Sequence, residues 1–283
     1  PLVLENMPDL ADTRFMAQLL ITLGVDVTWI KETHTLRLHA ADIVSTIAPY
    51  DQVRKMRASF NVLGPLLARA GHATVSLPGG CAIGARPVDL HLKAFEAMGA
   101  DIVIEQGYVK AAALRGLKGA EIDFPFVSVG ATEHAMLAAV LAKGDTVLKN
   151  AAREPEIADL ADCLNAMGAK VEGAGTSEIR IQGVTSLSGA KHPVVADRIE
   201  AGTYAMAAAA AGGNVLLSGA RFEHLGAMIK FLRDAGVTVE AEGRGLRIVR
   251  KVNAKLKATD FETEAFPGFP TDLQAQAMAL MSL

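Results

Sequence analysis

The chain has 283 residues, of which 51% are hydrophobic and 21% charged, and this composition excludes intrinsic disorder as the main state. The formal net charge of −3 excludes the basic surface that nucleic-acid binding requires, and aromatic residues, at 5%, provide few side chains for stacking on bases. The longest apolar runs are far shorter than the ~20 residues of a membrane span, and we expect no secretory signal. We therefore expect a soluble, cytoplasmic protein that binds neither nucleic acid nor a membrane. Because the sequence does not begin with Met, we also expect it to be a piece of a longer chain.

A short phrase built around a glycine occurs four times, at roughly 70-residue intervals. The four occurrences are 23–27, 98–102, 167–171 and 235–239. Each follows a segment with helical amphipathic spacing, so the glycine is predicted to be the left-handed residue that ends a helix. Alternating apolar residues after it predict a hairpin of two strands.

Three of these four helices are preceded by a predicted strand, and each of the three strands is preceded by a helix of small residues. The strands are predicted at 74–77, 146–148 and 214–217, and the small-residue helices at 60–70, 132–142 and 202–211. The repeating unit is therefore helix, strand, helix, strand, strand. A unit of this size predicts a small α/β subdomain that stacks on its neighbours.

The glycine-rich segment 77–87 is the most unusual stretch of the chain. Its two spaced glycines resemble a phosphate-binding loop only superficially, because the expected Lys-Ser/Thr is replaced by Ala85 and Arg86. Cys81 lies in this loop near an arginine and a helix start, which favours an exposed thiolate, although a small packed residue is the alternative. Cys163 falls within an amphipathic helix, and we expect it to be packed in the core.

Two segments could bind an anion. Arg86–His91 combines an arginine, a rigid turn and Asp89, which either caps a helix or contacts a polar ligand. Ser128–Thr132 runs from a strand into a helix, so that its backbone N–H groups can surround an anion. Ser128 lacks the flanking glycines of a nucleophile elbow and has no predicted nucleophilic role.

Near the end of the chain, Thr271 and Gln274 fit a capping box, in which Thr271 is the N-cap of a helix. Asp272 could act as a general base, but from periodicity alone a place in the cap is favoured. The seven histidines show no metal-ligand spacing. We expect most of them at the surface, with only His91 near a site.

Together these motifs carry a family resemblance. The loop Pro78–His91 resembles the catalytic loop of the UDP-N-acetylglucosamine 1-carboxyvinyltransferases, the enolpyruvyl transferases of peptidoglycan synthesis. Further segments are similar to family motifs in the same order; they are 128–132, 150–157, 197–203 and 269–276. The resemblance extends over essentially the whole chain.

The resemblance implies an α/β fold of two domains, each an inside-out barrel with helices inside and sheets outside. Residues 1–196 would form most of the catalytic-loop domain, and residues 197–283 the incomplete start of the second domain. The family's reaction transfers the enolpyruvyl group of phosphoenolpyruvate to the 3′-hydroxyl of UDP-N-acetylglucosamine and releases phosphate. It uses no metal and no organic cofactor, and we expect a monomer.

By the same resemblance, three residues are catalytic. Cys81 would be the proton donor and the target of the epoxide antibiotic fosfomycin, Asp272 a base beside the sugar hydroxyl, and Arg86 a ligand of phosphate groups. The implied substrate-binding residues are Arg57, Arg86, Pro87, Val88, Asp89, Leu90, His91, Ser128, Val129, Gly130, Thr271 and Asp272.

The chain departs from the family pattern in three places. A Lys-Asn pair that grips phosphoenolpyruvate would lie upstream of Pro1, and later arginines would lie beyond Leu283. Phe126 stands where some members carry a lysine near the nucleotide. We therefore expect negligible turnover from this chain alone. Two other hypotheses stay open, namely transfer to a different acceptor and a non-catalytic α/β scaffold.

Overall fold

A computed structural model describes residues 1–78 and 88–283. The chain divides into two compact units, Pro1–Val194 and Val195–Leu283, which are described separately. Each unit has its own cluster of buried apolar side chains. The predicted site residues Cys81, Arg86 and Pro87 lie outside the described residues.

The first unit contains strands and helices in an alternating order. Its strands are β1 (Leu2–Glu5), β2 (Asp26–Ile30), β3 (Thr35–His39), β4 (Ile47–Ala48), β5 (His72–Ser76), β6 (Asp101–Glu105), β7 (Tyr108–Ala112), β8 (Glu121–Asp123), β9 (Asp145–Lys149), β10 (Lys170–Glu172), β11 (Glu178–Gln182) and β12 (Lys191–Pro193). Its α-helices are α1 (Ala11–Thr22), α2 (Tyr50–Val53), α3 (Leu63–Ala70), α4 (Asp89–Ala97), α5 (Val129–Ala139) and α6 (Pro155–Ala166). Short 3₁₀ helices cover Lys31–Thr33 and Arg57–Val62.

The second unit continues the same order of elements. Its strands are β13 (Gly213–Ser218), β14 (Thr238–Glu242) and β15 (Gly245–Arg250), and its α-helices are α7 (Arg198–Ala211), α8 (Gly226–Asp234) and α9 (Gln274–Met281). Its 3₁₀ helices are Phe222–His224 and Thr271–Leu273. Over the described residues, no helix combines the length and apolarity needed to cross a bilayer.

The predicted repeat is confirmed by the sheets. The orders β4-β5-β7-β6 and β8-β9-β11-β10 are equivalent: a short strand lies parallel to the first long strand, and a hairpin completes the sheet. The sheet β12-β1-β3-β2 follows the same plan, although its short parallel strand comes from much later in the chain. The remaining sheet has the order β13-β15-β14. Among the described residues, none of the four sheets closes into a barrel.

The four repeated glycines end equivalent helices, as predicted. Gly24, Gly99, Gly168 and Gly236 directly follow the last turns of α1, α4, α6 and α8, with φ of 105°, 86°, 98° and 91°. Side chains with a Cβ disfavour this left-handed region, whereas glycine enters it readily, so the chain can leave the helix and start the hairpin.

Helix α5 lies at the centre of the first unit. Its alanines Ala131, Ala135, Ala138 and Ala139 are fully buried, and it packs against α3 and α4. The strands around it alternate between buried and exposed side chains, as in β9 and β11, so each sheet has one face toward the helices and one toward solvent. Small side chains allow the helices to approach closely in the interior.

Two helix starts differ from the prediction. Thr271 is the first residue of a 3₁₀ helix that follows the extended Pro270, and α9 begins only after it, so the predicted capping box is wrong. The N-cap position of α4 is occupied by Val88, and Asp89 is the first helical residue. The Asp89 carboxylate still lies in the first turn, where it interacts favourably with the helix dipole.

Candidate active site

A pocket of about 470 Å³ opens in the first unit where three chain segments meet. They are the 3₁₀ helix Arg57–Val62, the start of α4 and the start of α5. Seven of the predicted binding residues line it, namely Arg57, Val88, Asp89, Leu90, His91, Ser128 and Gly130. Five lining residues were not predicted as binding residues, namely Ala58, Phe60, Asn61, Phe126 and Glu133.

The start of α5 leaves backbone donors for a ligand. Ser128 is the N-cap, and its Oγ accepts a hydrogen bond of 3.3 Å from the N–H of Ala131. The first N–H groups of a helix have no acceptor within the helix, and together with the helix dipole they favour an anion. No acidic residue lies in the first turn of α5 to compete for that place.

Gly130 allows α5 to approach the start of α4. A Cβ at this position would lie 3.3 Å from Cε1 and 3.5 Å from Nε2 of His91. The glycine therefore relieves a tight contact between the two helix starts, which lie about forty residues apart in sequence and both line the pocket.

His91 is joined to a second buried histidine behind the pocket. Its Nδ1 lies 2.9 Å from Nδ1 of His134, and the backbone N–H of Gly64 donates to Nε2 of His134 at 2.7 Å. The rings of Phe60 and Phe95 pack edge-on around His134, which is 0% exposed. Burial lowers the pKa of His91 to about 4, with a further contribution from the charge of Arg57. Burial also lowers the pKa of His134 well below its usual value.

The expectation of surface histidines is wrong for His134 and for His192. His192 is buried in β12, and its Nε2 lies 3.0 Å from a carboxylate oxygen of Asp159. The sequence carried one usable signal for His134, because it is a polar residue in the middle of an alanine-rich helix. A polar group in such a place needs a buried partner.

Glu133 gives the pocket a carboxyl group with an unusual pKa. Burial, reinforced by the negative charges of Glu156 and Glu154, raises its pKa to about 7. Glu133 Oε2 also accepts a long hydrogen bond of 3.5 Å from Asn61 Nδ2. Protonation of this side chain removes a negative charge from the pocket wall near neutral pH.

The other predicted site residues are not among the residues that line this pocket, or they fall outside the described residues. Val129 begins α5 without lining the pocket. Thr271 and Asp272 belong to the second unit, in the 3₁₀ helix before α9. Cys163 in α6 is half-buried rather than in the core, and burial raises the pKa of its thiol. Over residues 1–78 and 88–283, no cluster of three or more His, Cys, Asp or Glu side chains is arranged to hold a metal ion.

Comparison with known proteins identifies relatives along the whole chain. The EPSP synthase family (3-phosphoshikimate 1-carboxyvinyltransferase) matches residues 2–283. Three curated relatives are UDP-N-acetylglucosamine 1-carboxyvinyltransferases, from Hyphomonas neptunium, Maricaulis maris and Caulobacter vibrioides. They are 68%, 65% and 63% identical to this chain over 284 aligned positions. All three cover 100% of this chain, which spans 67%, 67% and 66% of their own lengths.

Solved structures share the fold at low sequence identity. The enolpyruvyl transferase NikO from Streptomyces tendae superposes on this chain with a TM-score of 0.86 at 20% sequence identity. The superposition covers 99% of this chain and 66% of the NikO chain. An EPSP synthase from Acinetobacter baumannii superposes with a TM-score of 0.67 at 23% sequence identity. That superposition covers 91% of this chain and 60% of the synthase chain.

These matches confirm the family, the enolpyruvyl-transferase fold and the transferase class that the sequence motifs implied. The chain belongs to the EPSP synthase family and, within it, to the UDP-N-acetylglucosamine 1-carboxyvinyltransferases.

Proposed function

We propose that the whole protein transfers the enolpyruvyl group of phosphoenolpyruvate to the 3′-hydroxyl of UDP-N-acetylglucosamine, the first committed step of peptidoglycan synthesis. One observation carries the proposal: the two segments that the family resemblance assigns to the nucleotide line the same pocket. These segments, 88–91 and 128–130, are far apart in sequence. A nucleotide site formed by both of them requires that they lie next to each other in the fold.

The chemistry of the pocket suits a negatively charged ligand. Arg57 contributes a fixed positive charge, and the start of α5 contributes N–H groups and the positive end of the helix dipole. The diphosphate of a sugar nucleotide matches both features. Phe126, 58% exposed at the pocket, takes the place of the family's lysine and provides an apolar surface instead of a charge.

The reaction proceeds by addition and then elimination. Cys81 donates a proton to the methylene carbon of phosphoenolpyruvate. At the same time the oxygen of the sugar hydroxyl bonds to the carbon next to that methylene group, and Asp272 accepts the proton of the hydroxyl. In the elimination, the Cys81 thiolate takes a proton from the new methyl group of the tetrahedral phospho-ketal while the bond to phosphate breaks and Asp272 returns its proton to the departing phosphate, which forms the enolpyruvyl double bond and restores both groups. Arg57 and Arg86 stabilise the phosphate charge during both steps.

The two units fit the roles that the family assigns to its domains. Residues 1–196 are proposed as the catalytic-loop domain and residues 197–283 as the start of the second domain. A division of the chain into compact units after Val194 supports this assignment. The nucleotide pocket would then belong to the first domain, and Asp272 to the second.

The proposed substrates also indicate where the protein works. Phosphoenolpyruvate and UDP-N-acetylglucosamine are both products of cytoplasmic metabolism, so the protein is proposed to act in the cytoplasm. A monomer is the oligomeric state that we propose.

The test is phosphate release by the full-length protein in the presence of both substrates. We expect release to require UDP-N-acetylglucosamine as well as phosphoenolpyruvate. Replacing one preorganised catalytic group typically costs ~10²–10³ in rate, so Cys81→Ala should lose at least that much, whereas the control Cys163→Ala should keep the wild-type rate. Fosfomycin should label Cys81 and spare Cys163. Equal rates in the two variants would contradict the mechanism, and release that depends on another acceptor sugar would contradict the substrate.

A further inference from the structure

A chain of three hydrogen-bonding groups runs from the interior of the first unit to the pocket wall. It begins at the backbone N–H of Gly64 in the first turn of α3, where helix N–H groups have no acceptor within the helix. That N–H donates to Nε2 of His134, and Nδ1 of His134 lies 2.9 Å from Nδ1 of His91. His91 is 6% exposed and lines the pocket.

The direction of each hydrogen bond follows from the first one. A backbone N–H can only donate, so Nε2 of His134 must be the unprotonated acceptor. A neutral imidazole carries one proton, which in His134 is therefore on Nδ1 and is donated to His91. Nδ1 of His91 is then the acceptor, and the proton of His91 is on Nε2. Among the described residues, that Nε2–H has no hydrogen-bond acceptor.

The surroundings hold both rings neutral. In a charged imidazole both nitrogens donate, which would set His134 against the N–H of Gly64 and against His91. The rings of Phe60 and Phe95 supply no acceptor that could compensate. Of the charged groups that act on His91, Arg57 disfavours the protonated form and Asp89 favours it, and burial outweighs both.

We propose that His134 and the N–H of Gly64 form a tautomer relay that fixes His91 as an Nε2–H donor toward the pocket, where it binds an oxygen atom of the ligand. His91 is a binding residue in this arrangement, and His134 is a positioning residue that acts through it. The identity of the ligand rests on the function proposed above.

An anionic oxygen fits this donor best. The Nε2 edge of His91 lies against Gly130 in the first turn of α5, where the free N–H groups also favour negative charge. Arg57 lines the same pocket. A neutral histidine with a fixed tautomer adds a directional hydrogen bond to a phosphate oxygen without needing to take up a proton.

The first experiment measures the tautomers directly in the full-length protein. In protein labelled with ¹⁵N at histidine, long-range ¹H–¹⁵N spectra at pH 7 distinguish a protonated from an unprotonated ring nitrogen. The relay predicts Nε2–H for His91 and Nδ1–H for His134. The opposite tautomer of His91, or a charged ring in either residue, would overturn the proposal. This measurement requires no variant, so it decides the relay even if a substitution at position 134 prevents folding.

The second experiment measures the consequence for binding, with UDP as the probe. His134→Phe keeps an aromatic ring but removes both hydrogen bonds, and we expect it to weaken UDP binding about three- to tenfold. His134→Gln retains a donor and an acceptor and should recover most of that loss, which a purely structural role of the ring would not explain. His192→Phe is the matched control, since it removes a buried histidine elsewhere in the same unit, and its dissociation constant should equal that of the wild type.

The outcomes separate the two proposals. No binding of UDP or UDP-N-acetylglucosamine by the wild-type protein would overturn the proposed function, while the tautomer spectra still decide the relay. Wild-type binding together with an unchanged dissociation constant in His134→Phe would overturn the proposed role of His134.

Discussion

Helices α5 and α7 occupy equivalent places in successive repeats, and they begin in chemically opposite ways. At the start of α7, the carboxylate of Asp197 accepts hydrogen bonds from the N–H groups of Ile199 and Glu200, at 2.8 and 3.0 Å. At the start of α5, the neutral Ser128 makes one hydrogen bond of 3.3 Å. The first arrangement neutralises the helix dipole with an internal charge, whereas the second leaves it for an anion from outside. The start of α7 is thus stabilised by an internal charge, whereas we propose that the start of α5 binds the ligand.

The interiors of α5 and α7 also differ, and this difference leads to the largest change in stability that we expect. Glu133 lies five residues after the N-cap, where α7 has Gly202, and burial raises the pKa of Glu133 to about 7. In the unfolded chain the pKa of this carboxyl group is near 4.5. Between pH 4.5 and pH 7 the folded state therefore binds more protons than the unfolded state does. Stability should therefore fall as the pH rises from about 4.5 through 7, by up to about 3 kcal/mol.

Glu133→Gln should remove this loss. The variant should resemble the wild type at pH 4.5 and be more stable at pH 8, as measured by urea unfolding at both pH values. The same dependence on pH in the wild type and the variant would show that Glu133 is not the titrating group.

The close contacts around α5 and α7 differ as well, at Gly64 of α3, which faces His134 of α5, and at Gly202 of α7. A Cβ on Gly64 would lie 2.7 Å from Cδ2 of His134, whose ring is held by hydrogen bonds at both nitrogens. A Cβ on Gly202 would meet a terminal methyl group of Leu273 at 2.6 Å, which is the far end of a flexible although fully buried side chain. Overpacking typically costs about 1–3 kcal/mol, so Gly64→Ala should lie at the upper end and Gly202→Ala at the lower. Chemical denaturation measures both, and a larger cost for Gly202→Ala would contradict this account of the packing.

Making α5 start like α7 should weaken binding. In Ser128→Asp, a carboxylate would occupy the first-turn N–H groups and repel the diphosphate. We expect the dissociation constant for UDP-N-acetylglucosamine to rise at least about tenfold, equivalent to ~1.4 kcal/mol, with no loss of thermal stability because aspartate caps helices as well as serine. Calorimetric titration measures the constant. Unchanged affinity would show that the ligand does not use this helix start.

The converse change in α7 should affect stability alone. Asp197→Ala removes a cap with two hydrogen bonds, and such caps contribute about 1 kcal/mol. Urea unfolding should show this loss, while the affinity for UDP-N-acetylglucosamine stays at the wild-type value. A loss of affinity as large as that of Ser128→Asp would erase the difference between the two helix starts.

The repeat was predictable from sequence because its signals are local. A glycine such as Gly99 or Gly168 ends a helix through its own backbone preference, and alternation within a few residues predicts the hairpin that follows. The family resemblance contributed the pocket segments 88–91 and 128–130. Local signals also account for the error at Thr271, since the capping-box pattern does not distinguish an α-helix start from a 3₁₀ turn that precedes it.

The buried half of the site was not predictable in this way. Gly64, His91 and His134 come from three different helices, and their hydrogen bonds exist only because α3, α4 and α5 pack together. The raised pKa of Glu133 likewise depends on carboxylates of a fourth helix start, at Glu154 and Glu156. Nothing in the spacing of these residues indicates their contact.

Amide hydrogen exchange with and without UDP-N-acetylglucosamine tests the central claim most directly, namely that the start of α5 is a binding site and the start of α7 is not. Exchange of the full-length protein at a saturating ligand concentration is compared with exchange of the free protein. The exchange rate is followed separately for each segment. We predict slower exchange on binding at 88–91 and 128–131, and no change at 197–201. Protection at 197–201 with none at 128–131 would contradict the account.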